Sequence, residues 1–245
     1  MLIKICGITR LEDARFAVEC GANALGFVFW PGSPRSIDAA RAQVIAASLP
    51  PFVTPVGVFV NQSSDFVNGV AAAVGLGVVQ LHGDESPDFA ASLNRPVLKA
   101  LTLSDITSTA ETAEAAEKTP TNSRRALRAP RLNATLDEAL DRWPSETMIL
   151  LDAHDPVRRG GTGRTIDWTT AASIAARRPI VLAGGLNPEN IAAAIERVRP
   201  FGIDVSSGVE AAPGVKDHGR LNQLFDAIRE AESIQAPQRT QWTQR

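Results

Sequence analysis

The chain has 245 residues, 44% of them apolar, so it can bury a large core and is not a disordered protein. Its 25 basic and 27 acidic side chains leave a net charge of −2, which argues against a nucleic-acid or membrane surface. Two cysteines, Cys6 and Cys20, make no disulfide framework; with no signal peptide or bilayer-length apolar run, the expectation is a cytoplasmic enzyme or binding protein.

Short β-rich apolar runs alternate with helical patterns along the chain. Leu2–Cys6 reads as a strand that ends on a thiol. Gly7 breaks it, and Thr9 with Glu12 three residues on has the form of a capping box opening a helix over Leu11–Cys20. A strand at Ala24–Phe29, the loop Trp30–Ser36 and a helix near Asp38–Ser48 follow. Thr54–Val60 is the third strand, with a helix about Ser63–Val74, and Val78–His82 is the fourth, with a helix about Ser86–Ser92. Pro96–Leu101, Thr147–Asp152, Pro179–Ala183 and Gly202–Val205 are the remaining strands. Helices about Trp168–Ala176, Asn187–Val198 and Asp217–Ala231 come after the last three, Asn187 having the character of an N-cap with Pro188 at the first helical position.

Strands that alternate with helices through short loops imply parallel pairing. Eight such units in 245 residues predict a closed (β/α)8 TIM barrel with eight parallel strands rather than an open doubly wound sheet. No G-x-G-x-x-G follows the first strand, which weakens the dinucleotide-binding alternative. Residues 1–234 are expected to form this one domain, and 235–245 a frayed tail. Between strands five and six the interval Thr102–Glu146 holds 45 residues, more than one helix and two loops need. Helical patterns about Thr109–Lys118 and Thr135–Trp143 flank a polar bridge, Pro120–Asn133. Its Arg124, Arg125, Arg128 and Arg131 read either as an anion or partner patch or as a solvated insertion, and the segment's length favours the second.

In a parallel barrel the active site is built at the carboxyl ends of the strands and from the loops after them. That rule gathers Cys6, Arg35, Asn61, His82, Asp152, Gly184-Gly185 and Ser206-Ser207-Gly208 at one end. Cys6 is either a small buried hydrophobe or a thiol placed to meet a ligand. Asp152 ends an apolar run and reads as a structural acceptor, a metal ligand or an acid/base group whose pKa burial would raise. Metal is the weakest of these, since His82, His154 and His218 show no metal-binding spacing. Paired with a strand-end cysteine, the acid/base reading is the better one. His82 is a satisfied half-buried histidine or a substrate contact. Asp204 lies on strand eight, next to strand one in a closed barrel, so it pairs with Lys4 or reaches a substrate hydroxyl. Side-chain alternation puts Lys4 with Cys6, Gln80 with His82 and Leu150 with Asp152 on shared faces. Glycine-rich stretches follow strands six, seven and eight: Gly160-Gly161-Thr162-Gly163, Gly184-Gly185 and Ser206-Ser207-Gly208. They suit close approach of backbone N–H groups to a phosphate, with tight turns as the alternative.

The strings KICGIT (Lys4–Thr9), GFVFWPGSPRSI (Gly26–Ile37), VGVFVN (Val56–Asn61), VQLHGDE (Val79–Glu85), LLD (Leu150–Asp152), GGTGRTIDW (Gly160–Trp168), LAGGLNPEN (Leu182–Asn190) and GIDVSSGVE (Gly202–Glu210) resemble the phosphoribosylanthranilate isomerase family of tryptophan biosynthesis. The likeness touches every repeat except the stretch around strand five. It implies an Amadori rearrangement of N-(5-phosphoribosyl)anthranilate to 1-(2-carboxyphenylamino)-1-deoxyribulose 5-phosphate, with no cofactor and no metal. Carried onto this chain, Asp152 is the general acid at the furanose ring oxygen and Cys6, as thiolate, the base at C2. Arg35 pairs with the anthranilate carboxylate, and His82 and Asp204 line the pocket. Gly161, Gly184, Gly185, Ser206, Ser207 and Gly208 hold the phosphate. A thiol is mostly neutral at pH 7, so the helix after Thr9, the substrate iminium or Lys4 must favour the thiolate. A monomer is expected. The long interval Thr102–Glu146 departs from the family's compact pattern, which bears on packing and partners rather than on chemistry.

Two alternatives stand beside this reading. Another phosphosugar barrel would want either lysine and glutamate at strand ends, as in an indole-glycerol-phosphate synthase, or a metal with histidines and aspartates, as in a pentose-phosphate epimerase. A silent barrel that only binds a phosphorylated ligand has no need of both Cys6 and Asp152.

Overall fold

Parallel strands covered on both faces need apolar residues at nearly every position, and Ala24–Val28, Ile180–Ala183 and Gly202–Val205 are buried throughout. A computed structural model describes residues 1–102, 140–152 and 168–235. Its strands are β1 (Leu2–Cys6), β2 (Ala24–Val28), β3 (Thr54–Phe59), β4 (Val78–Leu81), β5 (Val97–Thr102), β6 (Met148–Asp152), β7 (Ile180–Ala183) and β8 (Gly202–Val205). They close in chain order into a parallel barrel, the expected (β/α)8 arrangement. Closure sets β1 beside β8 with Lys4 opposite Asp204.

The helices are α1 (Leu11–Cys20), α2 (Ala39–Ala47), α3 (Ser64–Val74), α4 (Pro87–Ala91), α5 (Trp168–Ala175), α6 (Ile191–Val198) and α7 (His218–Gln235). Their inner stripes, with outward residues such as Ile5, Leu25, Phe27 and Leu182, form the main apolar core. The barrel interior is filled by a separate set, Leu98, Ala100, Leu150, Val181 and Ala183, and by Cys6, Val28 and Val58. Among the described residues no helix is long and apolar enough to cross a membrane.

After β8 the chain makes a short 3-10 turn, Ser207–Val209, and a small antiparallel hairpin of β9 (Glu210–Ala212) and β10 (Val215–Lys216). Sequence reading places no element here, because the two strands are too short to carry a pattern.

Two expected helix starts are corrected. Thr9 does not cap α1: the cap position is Arg10, with no side-chain bond, and the Thr9 hydroxyl donates to the Gly214 carbonyl at 2.5 Å. Tying the strand-one loop to the hairpin takes the hydroxyl that a capping box would use. Asn187 does not open α6 either. Its Oδ1 accepts from the N–H groups of Glu189 and Asn190, both at 3.0 Å, which makes a turn, and the helix begins only at Ile191. Elsewhere the starts hold, as at Asp38, Ser63 and Ser86, whose oxygens accept from the N–H three residues on. The expected helix about Thr109–Lys118, most of that about Thr135–Trp143, the arginine bridge Pro120–Asn133, His154, the Gly160–Gly163 stretch with Gly161, and residues 236–245 lie outside the described residues.

Candidate active site

At the carboxyl end of the barrel lies a cleft of about 590 Å³ lined by Cys6, Trp30, Arg35, Gln80, His82, Asp152, Gly184, Gly185, Asp204, Ser206 and Ser207. Strand geometry accounts for the gathering. Cys6, His82, Asp152 and Asp204 sit on or just past β1, β4, β6 and β8 with side chains on the inward face, the face Lys4 and Gln80 also use.

Cys6 is buried, and room for its sulfur comes from β2: a Cβ on Gly26 would lie 2.7 Å from Cys6 Sγ and 3.1 Å from Lys4 Nζ. Burial pushes the thiol above its ordinary pKa. The ammonium of Lys4 opposes that through charge and a hydrogen bond, Asp204 reinforces it, and Lys216 opposes it again. Lys4 is 1% exposed and its Nζ lies 2.9 Å from Asp204 Oδ2. Burial alone would lower its pKa, yet Asp204 and Cys6 outweigh burial and raise it, so Lys4 stays charged. Of the sequence alternatives for Asp204, the structure shows the pairing with Lys4 through Oδ2; Oδ1 is buried and has no hydrogen-bond partner among the described residues, and Asp204 lines the cleft.

His82 and Asp152 face each other, with Nε2 to Oδ2 at 3.8 Å and side chains 34% and 22% exposed. Asp152 is thus not the deeply buried carboxylate that its apolar strand suggests, because the strand's last residue reaches the open cleft. Burial holds His82 below its ordinary pKa against the pull of Asp152. Gln80 Nε2 lies 2.8 Å from His82 Nδ1; with the amide donating there, the ring proton sits on Nε2, toward Asp152. Gln80 Oε1 is buried and has no hydrogen-bond partner among the described residues. Behind this pair, Glu85 collects the strand-four turn, accepting from the N–H groups of Asn61 (2.8 Å) and Gly83 (2.9 Å) and from Lys99 Nζ (3.0 Å). Desolvation would raise its pKa, but those donors outweigh it and hold the carboxyl below the ordinary range. Asn61, expected at the site, belongs to this turn and does not line the cleft.

Arg35 enters from the loop after β2, and Gly7 at φ 77° clears its path, since a Cβ there would lie 2.7 Å from Arg35 Cδ. Its Nε and Nη2 fork the carboxylate of Glu210 at 2.7–3.0 Å. Glu210 also accepts from Lys216 Nζ at 2.8 Å. Sequence reading missed Trp30, Gln80, Glu210 and Lys216. Gln80 carried a signal, its shared face with His82; Glu210 and Lys216 carried none that is local.

The glycine loops after β7 and β8 meet at the cleft. Gly184 (φ 93°) and Gly185 (φ 65°) have left-handed backbones that glycine alone adopts freely. Asn190 Nδ2 holds the Gly185 carbonyl at 2.9 Å. Ser206 and Ser207 line the cleft, whereas Gly208 packs behind it: a Cβ there would lie 1.9 Å from the Leu186 carbonyl oxygen.

A parallel (β/α)8 barrel whose carboxyl-end cleft joins a thiol, an imidazole, an arginine and two carboxylates to glycine loops has the build of a barrel enzyme. A sequence model described as N-(5'phosphoribosyl)anthranilate (PRA) isomerase matches residues 3–123 and 111–227. The chain belongs to the phosphoribosylanthranilate isomerase family. It is 46% identical over 231 residues to N-(5'-phosphoribosyl)anthranilate isomerase of Pelobacter propionicus, covering 94% of this chain and 97% of that one. Among solved structures it is similar to phosphoribosyl anthranilate isomerase from Thermotoga maritima, with TM-score 0.75, 41% identity, and coverage of 94% of this chain and 100% of that one. Another, with TM-score 0.72, 39% identity and coverage of 94% and 100%, is a phosphoribosyl anthranilate isomerase in complex with reduced 1-(o-carboxyphenylamino)-1-deoxyribulose 5-phosphate.

Proposed function

We propose that this protein, an isomerase of tryptophan biosynthesis by family, rearranges N-(5-phosphoribosyl)anthranilate with Asp152 as general acid and Cys6 as general base. The observation that carries the reading is the placement of a thiol and a carboxylate at the ends of β1 and β6, facing one cleft that also holds two glycine loops. Asp152 gives its proton to the ring oxygen as the C1–O bond breaks and the anthranilate nitrogen's lone pair forms the iminium. Cys6, as thiolate, removes the proton from C2; the electron pair of that C–H bond moves to form the enolamine, which tautomerises to the ketone. His82 and the Oδ1 of Asp204 contact the sugar, and Arg35 the anthranilate carboxylate. Backbone N–H groups at Gly184, Gly185, Ser206 and Ser207 receive the phosphate, with Gly208 shaping the second of these loops.

Burial favours the neutral thiol in the free protein, so ionisation of Cys6 needs the Lys4 ammonium and the iminium that the first step creates. The thiolate is therefore favoured once the substrate opens to the iminium, which also acidifies the C2 proton, and this suits a two-step reaction.

Cys6→Ala and Asp152→Ala are expected each to reduce turnover by about 10²–10⁴-fold or more, the usual worth of a positioned acid or base, with unchanged circular dichroism. A folded variant that turns over at the parental rate would overturn its residue's role. Failure of the well-expressed parent to complement a tryptophan auxotroph lacking this step would favour the silent phosphosugar-binding barrel instead.

A further inference from the structure

Arg35 presents a puzzle of charge. The residue assigned to an anionic substrate group is already forked by a carboxylate, and a neutral Arg35–Glu210 pair would attract no further anion. The answer lies on the hairpin after β8. Lys216 Nζ, within a side chain that is 0% exposed, is 2.8 Å from Glu210 Oε1, 2.6 Å from the Cys6 carbonyl and 3.2 Å from the Ser206 carbonyl. Those three acceptors use all three ammonium donors. Glu210, 4% exposed, therefore stands between two cations, and the trio keeps one net positive charge. Two Arg35 nitrogens are spent on Glu210, and Nη1 makes no hydrogen bond among the described residues. Arg35 lines the cleft; Glu210 and Lys216 do not.

We propose that Glu210 and Lys216 are positioning residues, Glu210 aiming the remaining edge of the Arg35 guanidinium, with its unused Nη1, at the substrate carboxylate while Lys216 restores the positive charge and ties the base strand to the phosphate loop. This rests on the functional reading above. A bidentate carboxylate fixes a guanidinium in a plane, which an isolated arginine on a loop lacks. Through its bonds to the Cys6 and Ser206 carbonyls, the same ammonium couples the ends of β1 and β8.

Glu210→Gln gives a test of sign. It removes a negative charge beside Arg35, so if Glu210 acted by charge alone, anion binding would tighten. Positioning predicts the reverse: Kd for reduced 1-(o-carboxyphenylamino)-1-deoxyribulose 5-phosphate, measured by calorimetry, and KM both rise about tenfold, the scale of a misaimed contact. In an Arg35→Ala background the same change should alter Kd less than about twofold, since nothing is left to aim. Lys216→Met should raise Kd likewise and lower kcat as well; if it does not fold, the Glu210 and Arg35 cycle decides alone. A folded Glu210→Gln protein with unchanged or lower Kd, or an undiminished effect without Arg35, overturns the proposal. A parent protein that neither binds nor turns over would instead sink the functional reading.

Discussion

Lys4 shows how much one buried charge is asked to do. It sits inside the barrel between the carboxylate of Asp204 and the thiol of Cys6, with Asp204 2.9 Å away. Removing one partner of a buried pair leaves the other charged and desolvated. Lys4→Met is accordingly expected to cost about 3–5 kcal/mol in urea unfolding, and Asp204→Leu added to it to recover most of that. No recovery in the double variant would assign the cost to packing. Catalysis should respond in a defined direction too. Without the cation the Cys6 thiol moves further above its ordinary pKa, so any limb of kcat/KM that rises with pH on Cys6 ionisation shifts to higher pH.

Among the elements, the loops after β7 and β8 depend on glycine for their shape. Gly184 and Gly185 turn through left-handed backbone, and Gly208 lets the second loop pass against the Leu186 carbonyl, where a Cβ would stand at 1.9 Å. Backbone cannot retreat as a flexible side chain can. Gly208→Ala is thus expected to cost about 1–3 kcal/mol, as overpacking does, and to weaken competition by inorganic phosphate as the loops part. Thermal melts and inhibition assays read the two effects separately; intact phosphate inhibition in a destabilised variant would remove Gly208 from the phosphate site. Glu85 does comparable work for the strand-four turn, gathering Asn61, Gly83 and Lys99 beneath His82.

Across the whole molecule, acid should act through the carboxylates that hold loops to the barrel. Glu85 and Glu210 both titrate below the ordinary glutamate range: desolvation would raise each, but Asn61 N–H and Lys99 outweigh it at the first, and Arg35 and Lys216 at the second. The unfolded chain takes up these protons at ordinary values, the folded one only at lower pH. Their contribution to stability is therefore fully present above the ordinary range and is lost as pH falls through the folded values. Urea midpoints should stay level from neutral to mildly acidic pH and then drop, and Glu85→Gln should flatten that drop. An equal drop in the variant would put the acid sensitivity elsewhere.

Strand number, strand order and the inward placement of Cys6, Gln80, His82 and Asp152 were readable from sequence, because apolar runs and alternation are local properties of the chain. The pairing of Lys4 with Asp204 was readable as one of two outcomes, since a closed barrel makes the first and last strands neighbours. Thr9 and Asn187 misled for a physical reason: each has the chemistry of a helix cap, but a carbonyl 205 residues away and a local turn claimed their polar groups. The trio of Arg35, Glu210 and Lys216 had no sequence signature, for its members come from a loop and a two-stranded hairpin, and Arg35 and Glu210 stand 175 residues apart. Only closure of the barrel brings β1, β2 and β8 together, and with them the charges around the thiol. Periodicity determined which faces turn inward; which charges meet there was decided by tertiary structure, because a charge responds to distance in space and not along the chain.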